Sequence, residues 1–188
     1  MLRGQVREAV LHGSHSGANA VLVSELNFKS KEEVREVAEV FRKAFSPELP
    51  EKPALYAWLD TVESYKTAKA QNGSAFVCRR NGRIIGAAFG KLHDPLEHSL
   101  EACKKLGPGK HYYLVGLAVD PAFQRQKIAT MLTRKRLAHA RKLGCAAVYS
   151  YTYAERKPKV AQFEKEGFTR FHTEPTKEGT RVYYKKTL

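Results

Sequence analysis

At 188 residues, 43% of them hydrophobic and 28% charged, the chain has the size and balance of a globular domain that needs no disulfide or metal to hold it. No apolar run approaches the ~20 residues that span a bilayer, so no membrane partner is expected. Cys78, Cys103 and Cys145 are too few and too scattered for a disulfide scaffold or a zinc site, and predict free thiols in an intracellular, cytoplasmic setting. His12 and His15 stand among Gly and Ser without an acidic or sulfur partner at ligand spacing, so no metal is expected. The formal net charge of +14 favours a polyanion, whether nucleic acid, an anionic surface or a phosphorylated cofactor. The field alone names none of them, and no nucleic-acid module is recognisable.

Residues 1–11 read as a flexible arm or as a short strand around Val6 to Leu11, and residues 12–19 as a mobile Gly/Ser linker, so that 1–19 form a flexible N-terminal arm. Arg3 and Arg7 outline a transit peptide, against which Glu8 and the shortness of the segment argue. The domain proper is expected over 20–188. Val21 to Phe28 alternates as a first strand. Ser30 and Glu33 form a capping box, and Val34, Val37, Ala38, Phe41 and Phe45 follow as one apolar stripe until Pro47 and Pro50 stop the helix. A second helix is expected from about Ala54 to Ala70, with Leu55, Trp58, Leu59, Val62 and Tyr65 inward. The clearest hairpin joins Ala75–Cys78 to Ile84–Phe89 through Asn81-Gly82, a pair suited to a type I′ turn.

A polar loop from His93 to Lys110 precedes a nearly all-apolar strand, Tyr112 to Val119, which reads as buried on both faces. A helix follows from about Gln126 to Leu143, closed by Gly144, with Ile128, Leu132, Ala140, Leu143 and His139 inward. Arg134, Lys135, Arg141 and Lys142 read as its solvated outer face. A strand (Cys145 to Tyr153), a short helix (Pro158 to Glu166) and a final hairpin (Phe168 to Lys185) complete an α/β chain. The segment 112–153 is a βαβ unit, hence a parallel strand pair in a mixed sheet.

The turn that opens the βαβ helix is Asp120-Pro121-Ala122-Phe123-Gln124-Arg125-Gln126-Lys127-Ile128-Ala129. Such turns offer unpaired amides and the positive end of a helix dipole, which suits a diphosphate, and Arg125 and Lys127 add charge. Leu117-Ala118-Val119-Asp120-Pro121, Gln124 to Ala129, and then Leu132, Ala140, Leu143 and Gly144 resemble the acetyl-CoA motif of the GNAT acetyltransferases. Phe163-Glu164-Lys165-Glu166-Gly167-Phe168 is similar to that family's Y-E-K-x-G-F segment.

The resemblance covers about residues 20–188. It implies one domain with a central mixed sheet, flanking helices and a splayed parallel strand pair, and an N-acetyltransferase that moves an acetyl group from acetyl-CoA to a primary amine by direct attack. It places the cofactor on the backbone of Leu117, Ala118 and Val119, on Gln124, Arg125, Gln126, Lys127, Ile128, Ala129 and Thr130, and on Arg156. Lys127 stands where the family usually has Gly, Arg156 where an Asn is common, and Phe163 where many members carry an acidic Tyr. Replacement acids are then sought among Tyr149, Tyr151 and Tyr153, which share one strand face, with Tyr151 and Tyr153 foremost. Glu25, His93, Asp94 and His111 are the candidate bases. Two other readings stay open: a CoA-binding protein that has lost catalysis, and a basic protein bound to nucleic acid or ribosomes.

Overall fold

The computed structural model describes residues 20–45, 62–63, 65–66, 69–70, 72–93 and 100–188. The arm over 1–19, residues Leu55, Trp58 and Leu59 of the second predicted helix, and Asp94 lie outside the described residues. Within that helix's span the described residues from Val62 onward are mostly helical, and Val62 is fully buried.

In order the elements are β1 (Val21–Glu25), α1 (Lys31–Phe45), β2 (Ser74–Arg80), β3 (Arg83–Leu92), α2 (Leu100–Lys104), β4 (His111–Tyr113), β5 (Leu117–Val119), α3 (Ile128–Lys142), β6 (Ala147–Tyr153), α4 (Lys157–Lys165), β7 (Thr169–Thr176) and β8 (Gly179–Thr187). The fold is α/β with a mixed sheet, hydrogen bonded in the order β1-β2-β3-β4-β6-β8-β7 with β5 on β3. Contacts divide the chain into two compact units. One runs up to Phe89 and takes in Gly116–Arg136, and the other comprises Gly90–Val115 and Leu137–Leu188.

In the first unit, α1 starts as its sequence dictates, though with half the expected box. Ser30 Oγ accepts from Glu33 N at 3.2 Å, while the Glu33 carboxylate accepts from Asn27 N at 3.0 Å and not from Ser30. The stripe Val34, Val37, Ala38 and Phe41 is buried. At the hairpin tip Asn81 and Gly82 have φ of 51° and 78°, the positive pair of a type I′ turn. Phe76, Cys78, Ile85 and Ala88 of the hairpin then pack against Ile128 and Leu132 of α3.

The apolar run 112–119 is two strands and not one. His111–Tyr113 lies parallel to Ala147–Tyr149 of β6, whereas Leu117–Val119 is antiparallel to Gly86–Ala88 of β3. Hydropathy reports burial, and both pieces are at least half-buried; it carries nothing about which neighbour takes the hydrogen bonds. The loop from His93 to Lys110 contains the short helix α2, and the first strand stops at Glu25, before the turn that leads into α1.

In the second unit one face of the sheet carries the core. Tyr112, Leu114, Val148, Val182 and Tyr184 pack with Leu137, Ala140, Phe163 and Phe168. His139 is a packed histidine as expected, its ring 5.8 Å from that of Tyr112. Gly90 is required by close approach: a Cβ there would stand 2.4 Å from Tyr112 Cε1, on a ring that is fully buried. Gly90→Ala is therefore expected to lower the urea midpoint by the equivalent of about 1–3 kcal/mol at an unchanged slope. An unchanged midpoint would show that the ring can move aside.

Candidate functional site

The turn after β5 is built entirely within the first unit. Gly116 O accepts from Phe89 N, and Asp120 N donates to Ile85 O, both at 2.9 Å. These bonds set the phase of the strand, so by alternation the N–H and C=O groups of Leu117 and Val119 point away from β3. Asp120, 5% exposed, accepts from Ala122 N at 3.0 Å and so caps the 3-10 turn Pro121–Phe123. Its second oxygen lies 3.5 Å from both Lys43 Nζ of α1 and Arg83 Nη2 of the hairpin.

Beyond that node Arg125 and Lys127 have φ of 61° and 62°. Two non-glycine residues in the left-handed region cost on the order of 1 kcal/mol each, and such strain gathers at functional loops. Lys127 thus takes the backbone conformation that glycine would take at this place. Its conformation also delays α3, which begins at Ile128 and not at the expected Gln126. Met131 N bonds back to Lys127 O at 3.0 Å, so Ile128, Ala129 and Thr130 are the first-turn residues whose amides have no partner within the helix. The side chains of Gln124, Arg125, Gln126 and Lys127 are exposed, and Ile128 is sunk in the core. The result is a row of amides at the positive end of a 15-residue helix, flanked by two cations.

The second unit carries Tyr151, Tyr153 and Arg156. Strand register places Tyr149 opposite Lys185, Tyr151 opposite Tyr183 and Tyr153 opposite Arg181, with His172 and Glu174 of β7 next beyond. Directly opposed residues project to one face, here the face turned away from the α3–α4 core. Tyr113 joins them from β4, its ring stacked 5.0 Å from Tyr149 and 6.3 Å from Tyr151. The Arg181 guanidinium sits 4.5 Å from the centre of the Tyr151 ring and 5.9 Å from that of Tyr153. Arg156 lies 5.6 Å over Tyr153 from the start of α4.

Hydroxyl chemistry separates the three tyrosines of β6. Tyr149 is 1% exposed, and its Oη shares a 2.6 Å hydrogen bond with His93 Nδ1. Tyr153 Oη donates to Glu178 at 3.3 Å near the hairpin end. Tyr151 is half-buried between Tyr113 and Arg181. Glu174 accepts from Tyr183 Oη at 2.7 Å and from Arg181 Nη1 at 3.4 Å. Burial first, and the bond to Glu174 second, push the Tyr183 phenol up to about 12.

Of the candidate bases, His93 alone touches one of the β6 tyrosines among the described contacts. Glu25 is 64% exposed and ion-paired with Lys69, while His111 Nε2 donates to Gly107 O at 2.9 Å. Phe163 is 5% exposed and stacked on Tyr184, well inside the core. Burial raises all three thiols away from the thiolate form, that of Cys78 to about 11. Arg181, Glu174, Tyr183 and Tyr113 escape the sequence reading. The alternation Arg181-Val182-Tyr183-Tyr184-Lys185 held the signal, since it separates a polar and aromatic face from a core face.

The βα turn presents its first-turn amides at the start of α3, within a mixed α/β sheet. The chain belongs to the acetyltransferase (GNAT) family, whose model matches residues 34–168. A mycothiol acetyltransferase of Thermomonospora curvata is 31% identical over 124 residues, covering 63% of this chain and 36% of the relative. The chain thus spans little more than a third of that relative's length. Two solved structures share the fold at low identity. An acetyltransferase from Streptococcus agalactiae has a TM-score of 0.69 at 12% identity, covering 89% of this chain and 98% of its own. The NatC complex bound to Gag peptide and CoA has a chain with a TM-score of 0.64 at 16% identity, over 89% and 98%.

Proposed function

We propose that the chain is an N-acetyltransferase that moves the acetyl group of acetyl-CoA to a primary amine by direct attack. The observation that carries this reading is the turn from Gln124 to Thr130, held in a left-handed, amide-presenting form without glycine. Amides of Gln124, Arg125, Gln126, Lys127, Ile128, Ala129 and Thr130 hold the pyrophosphate, with the Arg125 and Lys127 side chains as counter-charges. Leu117 and Val119, on either side of Ala118, turn backbone groups outward to pair with the pantetheine arm as an added strand would. Arg156 contributes a further cation to CoA. The amine nitrogen attacks the thioester carbon, an amide of β5 stabilises the oxyanion, and the carbon–sulfur bond then breaks. The ammonium proton passes to water or a nearby base, and Tyr151, with Tyr153 second, protonates the departing thiolate.

CoA or acetyl-CoA is expected to raise the melting temperature, and adenosine alone to do little. At ~100 times its dissociation constant the ligand adds about 2.7 kcal/mol to stability. No shift at millimolar CoA in low salt would sink the cofactor assignment. Thiol release over a panel of amines separates an active transferase from a protein that only binds CoA.

A further inference from the structure

We propose that the acceptor amine carries a carboxylate, and that Arg181 holds that carboxylate against the tyrosine face. The inference rests on the acetyl-transfer reading above and names the substrate class it takes. Register puts Arg181 and Lys185 on the same face as Tyr149, Tyr151, Tyr153 and Tyr183.

Among the described residues the charges around that face lean positive. Lys105 joins the two cations there, its Nζ 3.2 Å from His172 Nδ1, and Lys185 Nζ donates to Lys105 O at 3.2 Å. Among the described residues the carboxylates near these three are Glu174, already engaged by Tyr183, by Arg181 and by His172 at 3.6 Å, and Glu101, which is paired with Lys104 at 3.0 Å and feels the charge of Lys105 and His172. Glu178 bonds the Tyr153 hydroxyl near the hairpin end.

Arg181 is held in place by the Tyr153 and Tyr183 hydroxyls and by Glu174, yet its hydrogen-bonding capacity is not filled. Its one carboxylate contact is a single long one of 3.4 Å, and its buried Nε has no hydrogen-bond partner among the described residues. A guanidinium is a planar fork made for two-point contact with a carboxylate. Stacking on Tyr151 fixes its plane while leaving a quarter of the side chain exposed. An acceptor with a second ammonium meets like charge on this face, whereas an amino-carboxylate brings the missing anion. The stacked rings of Tyr113 and Tyr151, both half-buried, offer apolar surface for the carbon chain between amine and carboxylate.

The test uses the full chain, acetyl-CoA and matched acceptor triples of two to six carbons: an amino-carboxylate, its carboxamide and the corresponding diamine. Thiol release is expected to show kcat/KM at least about tenfold higher for the best carboxylate than for its carboxamide and its diamine. Arg181→Gln is expected to collapse the carboxylate-to-carboxamide ratio toward one by raising KM for the carboxylate, while Arg181→Lys keeps part of it. CoA binding by calorimetry, measured on each variant, shows that the fold and cofactor site survive. Equal or better use of the diamine or carboxamide by the unaltered chain overturns the proposal. So does a ratio untouched in Arg181→Gln, or CoA binding with no turnover of any triple. Failure to bind CoA at all is a different result and strikes the acetyl-transfer reading itself.

Discussion

Lys127→Glu is expected to weaken CoA binding about 100-fold, equivalent to ~2.7 kcal/mol, while Lys127→Gly keeps or improves it. The asymmetry comes from two separate properties of one residue. The backbone of Lys127 has φ of 62°, which glycine adopts freely and any other side chain adopts at a cost. Glycine therefore removes strain from the turn, loses one cation, and leaves the amides where they are. Glutamate keeps the strain and places a carboxylate beside the diphosphate. The side chain is exposed, so the loss should shrink as salt rises and the repulsion is screened. Calorimetry at two ionic strengths measures both effects. Equal affinity of the Glu and Gly variants would show that the side chain points away from the phosphates and that Arg125 is the cation that matters.

How far the sequence discloses this site follows from the kind of signal each part carries. The turn was legible because its chemistry is local. Asp120-Pro121 ends a strand, a helix opens at Ile128, and the amides between them need no distant partner. The Asn81-Gly82 hairpin was legible for the same reason, since two residues fix its turn. The break between β4 and β5 was not, because Tyr112 to Val119 is uniformly apolar and the switch of partners depends on β3 and β6, which are remote in sequence. Arg181 was hidden for a related reason. An arginine in a hairpin that also carries Arg170, Lys177 and Lys185 looks like solvated charge, and only the register with Tyr151 and Tyr153 places it over two rings. Arg136 is a comparable case within α3. It sits at 3% exposure and donates to Phe89 O at 3.0 Å, where periodicity alone could not separate it from the basic outer face.

Tyr151→Phe is expected to lower the rate at saturating substrate by about 100-fold, the usual cost of losing a general acid, while leaving CoA affinity intact. Tyr153→Phe should cost less, because its hydroxyl is engaged by Glu178 near the hairpin end. Tyr149→Phe should act differently again. Its hydroxyl is buried on His93, so removing it deletes the 2.6 Å hydrogen bond between them and is expected to lower stability along with rate. The place where many relatives carry a tyrosine acid cannot compensate. Phe163 lies 5.2 Å from both Tyr184 and Phe168 in the core, so a hydroxyl added by Phe163→Tyr would enter apolar packing and should leave turnover unchanged. The three Tyr→Phe variants of β6, assayed by thiol release with stability measured in parallel, discriminate the roles. If Tyr151→Phe and Tyr153→Phe both keep near-full rates, no tyrosine supplies the proton. The thiolate then leaves unassisted, as a thiol with a pKa near the ordinary value of about 8.5 can do.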